Sequence, residues 1–174
     1  SEYSNGSKPY ARFEDGMINI LFVGRLEKRK GLKYLLGAFA QLKWSFPNVR
    51  LLVVGPGTPD EDSYRIIGER NIRDVIFLGS VSESEKIRYY KTADIFCAPA
   101  IGQESFGVVL LEAMAAGKPI IATAIRGYSS VVTHEKEGLL VSPENEYSLA
   151  DGLSKLISHP NLAKVMGANG QLKA

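Results

Sequence analysis

Six short apolar runs, separated by longer stretches of helical periodicity, constrain this chain more than any other feature. They are Ile18–Val23, Leu51–Val54, Val75–Leu78, Ile95–Ala98, Pro119–Ala122 and Gly138–Val141. Each is four to six residues long, β-branched or leucine-rich, and apolar at successive rather than alternate positions. A strand with one wet face alternates. A strand covered on both faces does not, and that is the condition inside a parallel sheet.

The intervening segments read as helices. Leu32 to Phe46 sets Leu32, Leu35, Leu36, Phe39 and Leu42 on one face. Ser82 and Glu85 form a capping box that opens a helix to about Lys91. Gly107 to Ala116 is a strongly apolar helix closed by Gly117 and Pro119, and a last helical pattern runs from Ser148 to about Ser158, before Pro160. Strands alternating with helices predict an α/β fold: a Rossmann-like, doubly wound parallel sheet of about six strands. Residues 1–16 are polar and carry Gly6, Pro9 and Gly16 without periodicity. They are expected to be an irregular linker or the trailing end of something upstream, with residues 17–174 forming the domain. The chain opens on Ser1 without an initiator Met, as an excised piece of a longer protein would.

Composition narrows the classes. A length of 174 residues suits one domain, and 45% hydrophobic against 23% charged residues argues against disorder. The net charge of +2 is too small to indicate a nucleic-acid or membrane patch. The single cysteine, Cys97, can form neither an internal disulfide nor a zinc cage, and its apolar neighbours mark it as a buried structural thiol. His134 stands alone in a polar stretch, and no cluster offers a metal site. No apolar run reaches bilayer-spanning length and no signal peptide opens the chain. A cytoplasmic, reduced compartment is the expectation.

In open parallel sheets, ligands sit beyond the carboxyl ends of the strands, so function belongs to the strand-to-helix turns. The first turn, Gly24-Arg25-Leu26-Glu27-Lys28-Arg29-Lys30-Gly31, has four cationic side chains between two glycines. Such a loop feeding a helix suits phosphate, although a solvated loop would look the same. No P-loop and no Gly-x-Gly-x-x-Gly follows the first strand, which disfavours an ordinary ATPase or dinucleotide enzyme. Receiver-type domains need acidic residues where Gly24-Arg25 and Gly55-Pro56 stand. Gly55-Pro56-Gly57-Thr58 either approaches a ligand or simply turns the chain. The fourth turn is the most informative: Glu104 lies in the loop, Ser105 can cap the helix, and Phe106-Gly107-Val108 would present unpaired backbone N–H groups to an anion or to sugar hydroxyls. Glu112 follows two turns later within apolar sequence. It either points to solvent on the one polar edge or is held by a partner.

Together these turns resemble the C-terminal, nucleotide-sugar-binding domain of family 4 retaining glycosyltransferases, the C-terminal half of a GT-B fold. The resemblance covers about Ile18 to Ser158. It rests on Phe22-Val23-Gly24-Arg25 with Lys30-Gly31, Val53-Val54-Gly55-Pro56-Gly57, Phe77-Leu78-Gly79 and Ala93-Asp94-Ile95-Phe96-Cys97-Ala98-Pro99. Above all it rests on Glu104-Ser105-Phe106-Gly107 through Glu112-Ala113-Met114-Ala115-Ala116-Gly117-Lys118-Pro119, which matches the family's Glu-x7-Glu signature. Within the family the chain is most similar to phosphatidylinositol mannosyltransferases.

The resemblance implies roles. Gly24, Arg25 and Lys30 match the turn that grips the donor diphosphate, with no metal cofactor required. Glu104 matches the carboxylate beside the transferred sugar, and Phe106, Gly107 and Val108 the backbone that binds sugar hydroxyls and the distal phosphate. Glu112 matches the residue that holds the ribose, while Val81, Glu83 and Lys86 align with the nucleobase edge. It further implies a hexosyltransferase, with mannose donated by GDP-mannose to a lipid or glycan acceptor and an N-terminal acceptor domain absent from this chain. The whole protein would sit in the cytoplasm, peripheral to a membrane, and have no nucleic-acid partner. UDP- or ADP-glucose transfer, as in sucrose-phosphate or glycogen synthases, is the alternative within the class. A non-catalytic nucleotide-sugar sensor is the alternative outside it. One departure stands out: many relatives follow the fifth strand with Gly-Gly-x-Pro-Glu, whereas this chain has Ala124-Ile125-Arg126-Gly127-Tyr128.

Overall fold

A computed structural model describes residues 7–104 and 106–174. Six strands, β1 (Ile18–Val23), β2 (Val49–Val54), β3 (Val75–Gly79), β4 (Ile95–Ala98), β5 (Ile120–Thr123) and β6 (Gly138–Val141), form one sheet in the order β3-β2-β1-β4-β5-β6. Every pairing is parallel. The helices are α1 (Leu32–Ser45), α2 (Glu61–Glu69), α3 (Glu83–Thr92), α4 (Val108–Ala115), α5 (Arg126–Ser129), α6 (Glu146–Ser158) and α7 (Pro160–Lys173).

Two core layers explain the non-alternating strands. Ile20, Phe22, Leu51, Val53, Ile95, Cys97 and Ile121 pack on one face with α1 and α6. Their neighbours Leu21, Leu52, Val54, Phe96, Ala98, Ile120 and Ala122 pack on the other with residues of α3, α4 and α5. Cys97 is fully buried, and burial pushes its thiol up, as expected of a structural cysteine.

Four differences from the sequence reading have physical causes. Strand β2 begins at Val49 rather than Leu51 because Arg50, a charged residue just ahead of the apolar run, is neutralised inside the sheet. Its guanidinium donates to both carboxylate oxygens of Asp15, to Asn19 Oδ1 and to the Phe13 carbonyl. Those contacts also fasten the described part of the N-terminal segment. Residues 7–16 contain only a 3-10 turn (Ala11–Phe13), yet Phe13 is buried and Tyr10 stacks on Tyr89 with ring centroids 4.5 Å apart. Helix α2 lies in a polar stretch whose start is marked by Asp60, which accepts from the Ser63 N–H. Pro160 ends α6 and then occupies the first turn of α7, where its missing N–H costs nothing.

Strand order reverses at β1 and β4, so the turns that follow them stand side by side. Glycine makes the close approach possible at two points. A Cβ on Gly31 (φ +74°) would lie 2.0 Å from the Pro99 carbonyl oxygen, and one on Gly55 1.8 Å from that of Gly24. Gly55 is thereby accounted for by packing of the second turn on the first.

Candidate functional site

The turn after β1 coils into a 3-10 turn, Lys28–Lys30, and this aims Arg29 and Lys30 across at the loop after β4. Both cations meet Glu104 there. The Lys30 ammonium pairs with Glu104 Oε1, and Arg29 Nη1 reaches the same oxygen at 3.2 Å and the Gln103 carbonyl at 3.3 Å. The Lys30 and Glu104 side chains are only 14% and 13% exposed, so this pair is far better shielded than a surface ion pair. The Lys30 side chain runs past Gly24. Arg25 is exposed and has no hydrogen-bond or ion-pair partner among the described residues.

Next to this cluster begins α4. Gly107, left-handed at φ +57°, is its N-cap and has no side chain with which to cap it; the Leu110 N–H donates back to the Gly107 carbonyl at 2.9 Å, which leaves the Val108 and Val109 N–H groups without a partner among the described residues. The proposed cap Ser105 lies outside the described residues. Phe106 and Val108 are exposed at the same mouth. Glu104 borders two open clefts. One, of about 320 Å3, is shared with Arg29, Lys30, Phe106, Gly107 and Val108. The other, of about 460 Å3, is shared with Gly102, Gln103, Ile125, Arg126 and Gly127. Gly127 lets α5 come close, since a Cβ there would lie 1.8 Å from the Glu104 carbonyl oxygen.

A second cluster lies along α4. Lys86 of α3 pairs with Glu112 Oε2 at 2.9 Å and with Glu83 at 3.1 Å. The Tyr90 hydroxyl donates to the Val109 carbonyl at 3.3 Å and to Glu112 Oε1 at 3.4 Å. Of the two options the sequence left for Glu112, the structure takes the second: its side chain is 13% exposed and is held between helices. Burial pulls the Lys86 ammonium down, but Glu112 and Glu83 outweigh it and raise its pKa above the usual lysine value. Glu83 is largely exposed, and Val81 is half-buried just ahead of the Ser82 cap, whose capping box forms as the sequence implies.

Sequence reasoning singled out Lys30 and Glu104, which meet, and Lys86 and Glu112, which also meet. It did not single out Arg29, although that residue stood in the cationic turn, nor Tyr90 and Tyr128. Tyr128 is 2% exposed, and burial together with the nearby Glu104 charge pushes its hydroxyl up, against Arg29. Among the described residues that hydroxyl has no hydrogen-bond partner. No group of His, Cys, Asp and Glu among the described residues could hold a metal. A separate cavity of about 330 Å3 opens at the opposite, amino-terminal end of the strands beside Asp94, Lys118 and Pro160. Its distance from the charged turns excludes it from this site.

The doubly wound parallel sheet, with cationic and carboxylate turns meeting at its switch point, is a fold shared with solved GT-B glycosyltransferases. The chain belongs to the glycosyl transferases group 1 family, whose profile matches residues 8–173. It is 39% identical over 152 residues to a phosphatidyl-myo-inositol mannosyltransferase of Mycobacterium leprae, an alignment covering 87% of this chain and 40% of that protein. Among solved structures, a sucrose-phosphate synthase of Thermosynechococcus elongatus is 32% identical with a TM-score of 0.83, over 95% of this chain and 44% of that one. Anabaena Alr3699/HepE in complex with UDP and glucose shares the fold at a TM-score of 0.86 and 22% identity, over 96% and 48% of the two chains. The chain therefore spans about two-fifths of the length of the curated relatives it matches. Among the described residues, no helix is long and apolar enough to cross a membrane.

Proposed function

We propose that this chain is the donor-binding half of a retaining hexosyltransferase that takes mannose from GDP-mannose and passes it to a lipid or glycan acceptor. The observation that carries this reading is the convergence of Lys30 and Glu104 beside the open N-terminus of α4. Lys30 and Arg25 neutralise the charge that builds on the departing diphosphate, a task needing fixed cations rather than a metal. The α4 N–H groups bind the distal phosphate and sugar hydroxyls, and Glu104 stands against the transferred sugar. Glu112 accepts from the ribose hydroxyls, and Val81, Glu83 and Lys86 border the base. Mannosyltransferase relatives at 38–39% identity support mannose as the sugar. An N-terminal half supplies the acceptor site and the contact with a membrane on its cytoplasmic side.

A second reading, glucose transfer from UDP-glucose, draws support from the sucrose-phosphate synthase likeness. Calorimetric titration of the full-length protein with GDP, UDP and ADP, followed by GDP-mannose and UDP-glucose, separates the two. Preference for GDP, strengthened by mannose, is the expected result. Preference for UDP or ADP replaces the sugar and keeps the class. Failure of every nucleotide to bind overturns the transferase reading. A sensor without transfer chemistry would have no use for Glu104, so Glu104→Ala would leave its function intact.

A further inference from the structure

Arg29 is tied to the β4–α4 loop through both its side chain and its backbone. Nη1 donates to Glu104 Oε1 (3.2 Å) and to the Gln103 carbonyl (3.3 Å), while its own carbonyl accepts from the Ile101 N–H at 2.9 Å. Its Nε is anchored behind by Glu27 Oε2 at 3.0 Å. The loop it grips is one that needs gripping. Gln103 sits at φ +61°, a left-handed conformation that costs a non-glycine residue energy and persists only when its surroundings impose it. On the opposite side the Glu104 backbone is packed against Gly127.

Both cations that hold Glu104 use the same oxygen, Oε1, and among the described residues Oε2 has no partner. Lys30 also lines the cleft where a diphosphate would lie. An anion arriving there competes for its ammonium, and a carboxylate held by Lys30 alone would be loosened at the moment its position matters. A planar guanidinium that holds Oε1 and the neighbouring carbonyl together keeps the carboxylate in place.

We propose that Arg29 is a positioning residue for Glu104: it pins Oε1 and the 101–104 loop so that Oε2 faces the sugar while Lys30 turns to the diphosphate. This rests on the transferase reading above. The test uses full-length protein and measures hydrolysis of GDP-mannose to GDP and mannose, and of UDP-glucose to UDP and glucose, with titration of GDP and UDP alongside. Arg29→Ala is expected to lower kcat roughly 10- to 100-fold, the cost of about an ångström of misplacement, with KM and nucleotide Kd changed less than about threefold. Arg29→Lys, which keeps the charge and guards against a folding defect, is expected to recover only part of kcat. Lys30→Ala is expected to raise KM and nucleotide Kd instead. An unchanged kcat in Arg29→Ala, or parallel losses in kcat and nucleotide affinity, overturns the positioning role while leaving the transferase reading intact. Wild-type protein that neither hydrolyses a nucleotide sugar nor binds a nucleotide overturns both.

Discussion

The two charged clusters flanking α4 contain the same chemistry, a carboxylate held by a lysine, but they are built differently. At the helix start, Glu104 and its partners Arg29 and Lys30 all come from turns. One carboxylate oxygen takes both cations, and among the described residues the other takes none. Along the helix, Glu112 and Lys86 are borne by α4 and α3, and both Glu112 oxygens are engaged, by Lys86 and by Tyr90. A carboxylate braced on both oxygens between helices is suited to holding a fixed group. One left half-satisfied at a cleft, on loops that glycine and a left-handed glutamine bring together, is suited to meeting a group that changes. In the function proposed above, that difference would separate binding from chemistry.

The largest expected effect falls on the loop-borne cluster. Glu104→Ala in the full-length protein is expected to cut sugar transfer by about 100- to 1000-fold, on the scale of losing one well-placed charged group in an active site. Nucleotide affinity should stay within a few-fold. A comparable loss of transfer in Glu112→Gln would erase the distinction between the clusters. Removing diphosphate charge comes next. Arg25→Ala is expected to abolish measurable binding of GDP and of inorganic diphosphate alike in titration, and unchanged affinity would remove Arg25 from the site. Glu112→Gln is expected to weaken GDP by roughly 5- to 30-fold, the value of one or two charge-assisted hydrogen bonds, while sparing inorganic diphosphate. Equal losses for both ligands would count against a ribose contact.

The smallest effect concerns stability. The raised pKa of Lys86 means that the folded state holds this proton more tightly than the unfolded chain, whose lysines titrate near 10.5. Its contribution is therefore complete below about pH 10.5 and is lost as pH rises through the higher folded value. Lys86→Met should lower the thermal midpoint at pH 8 by about 1–3 °C, as befits a partly exposed ion pair, and flatten its decline in alkali. An alkaline profile identical to wild type would show that the helix-borne cluster adds nothing to stability.

Much of this was legible from local pattern. The strand positions, the capping box at Ser82 and the helix of α1 follow from periods and caps that a short window contains. Helices α2 and α7 escaped because one is polar and the other begins at a proline that also ends its predecessor. The aperiodic sequence of the first 16 residues gave no sign that Phe13 and Asp15 would pack on the sheet, because their partner Arg50 lies in a strand where an unpaired charge would be excluded. Arg29 was hidden differently: four cations in one turn look alike until their directions are known.

Sequence alone therefore determined the layered α/β architecture, the turns that could carry chemistry and the residue types gathered in them, because hydrophobic period, capping and glycine turns act over a few residues. Tertiary structure decided which cation meets which carboxylate. Arg29 and Glu104 stand 75 positions apart and Lys86 and Glu112 on different helices, and only the placing of β1 beside β4 and of α3 beside α4 brings each pair within reach. Ion pairing is short-ranged on the scale of the chain, so the strand order that closes that distance governs it.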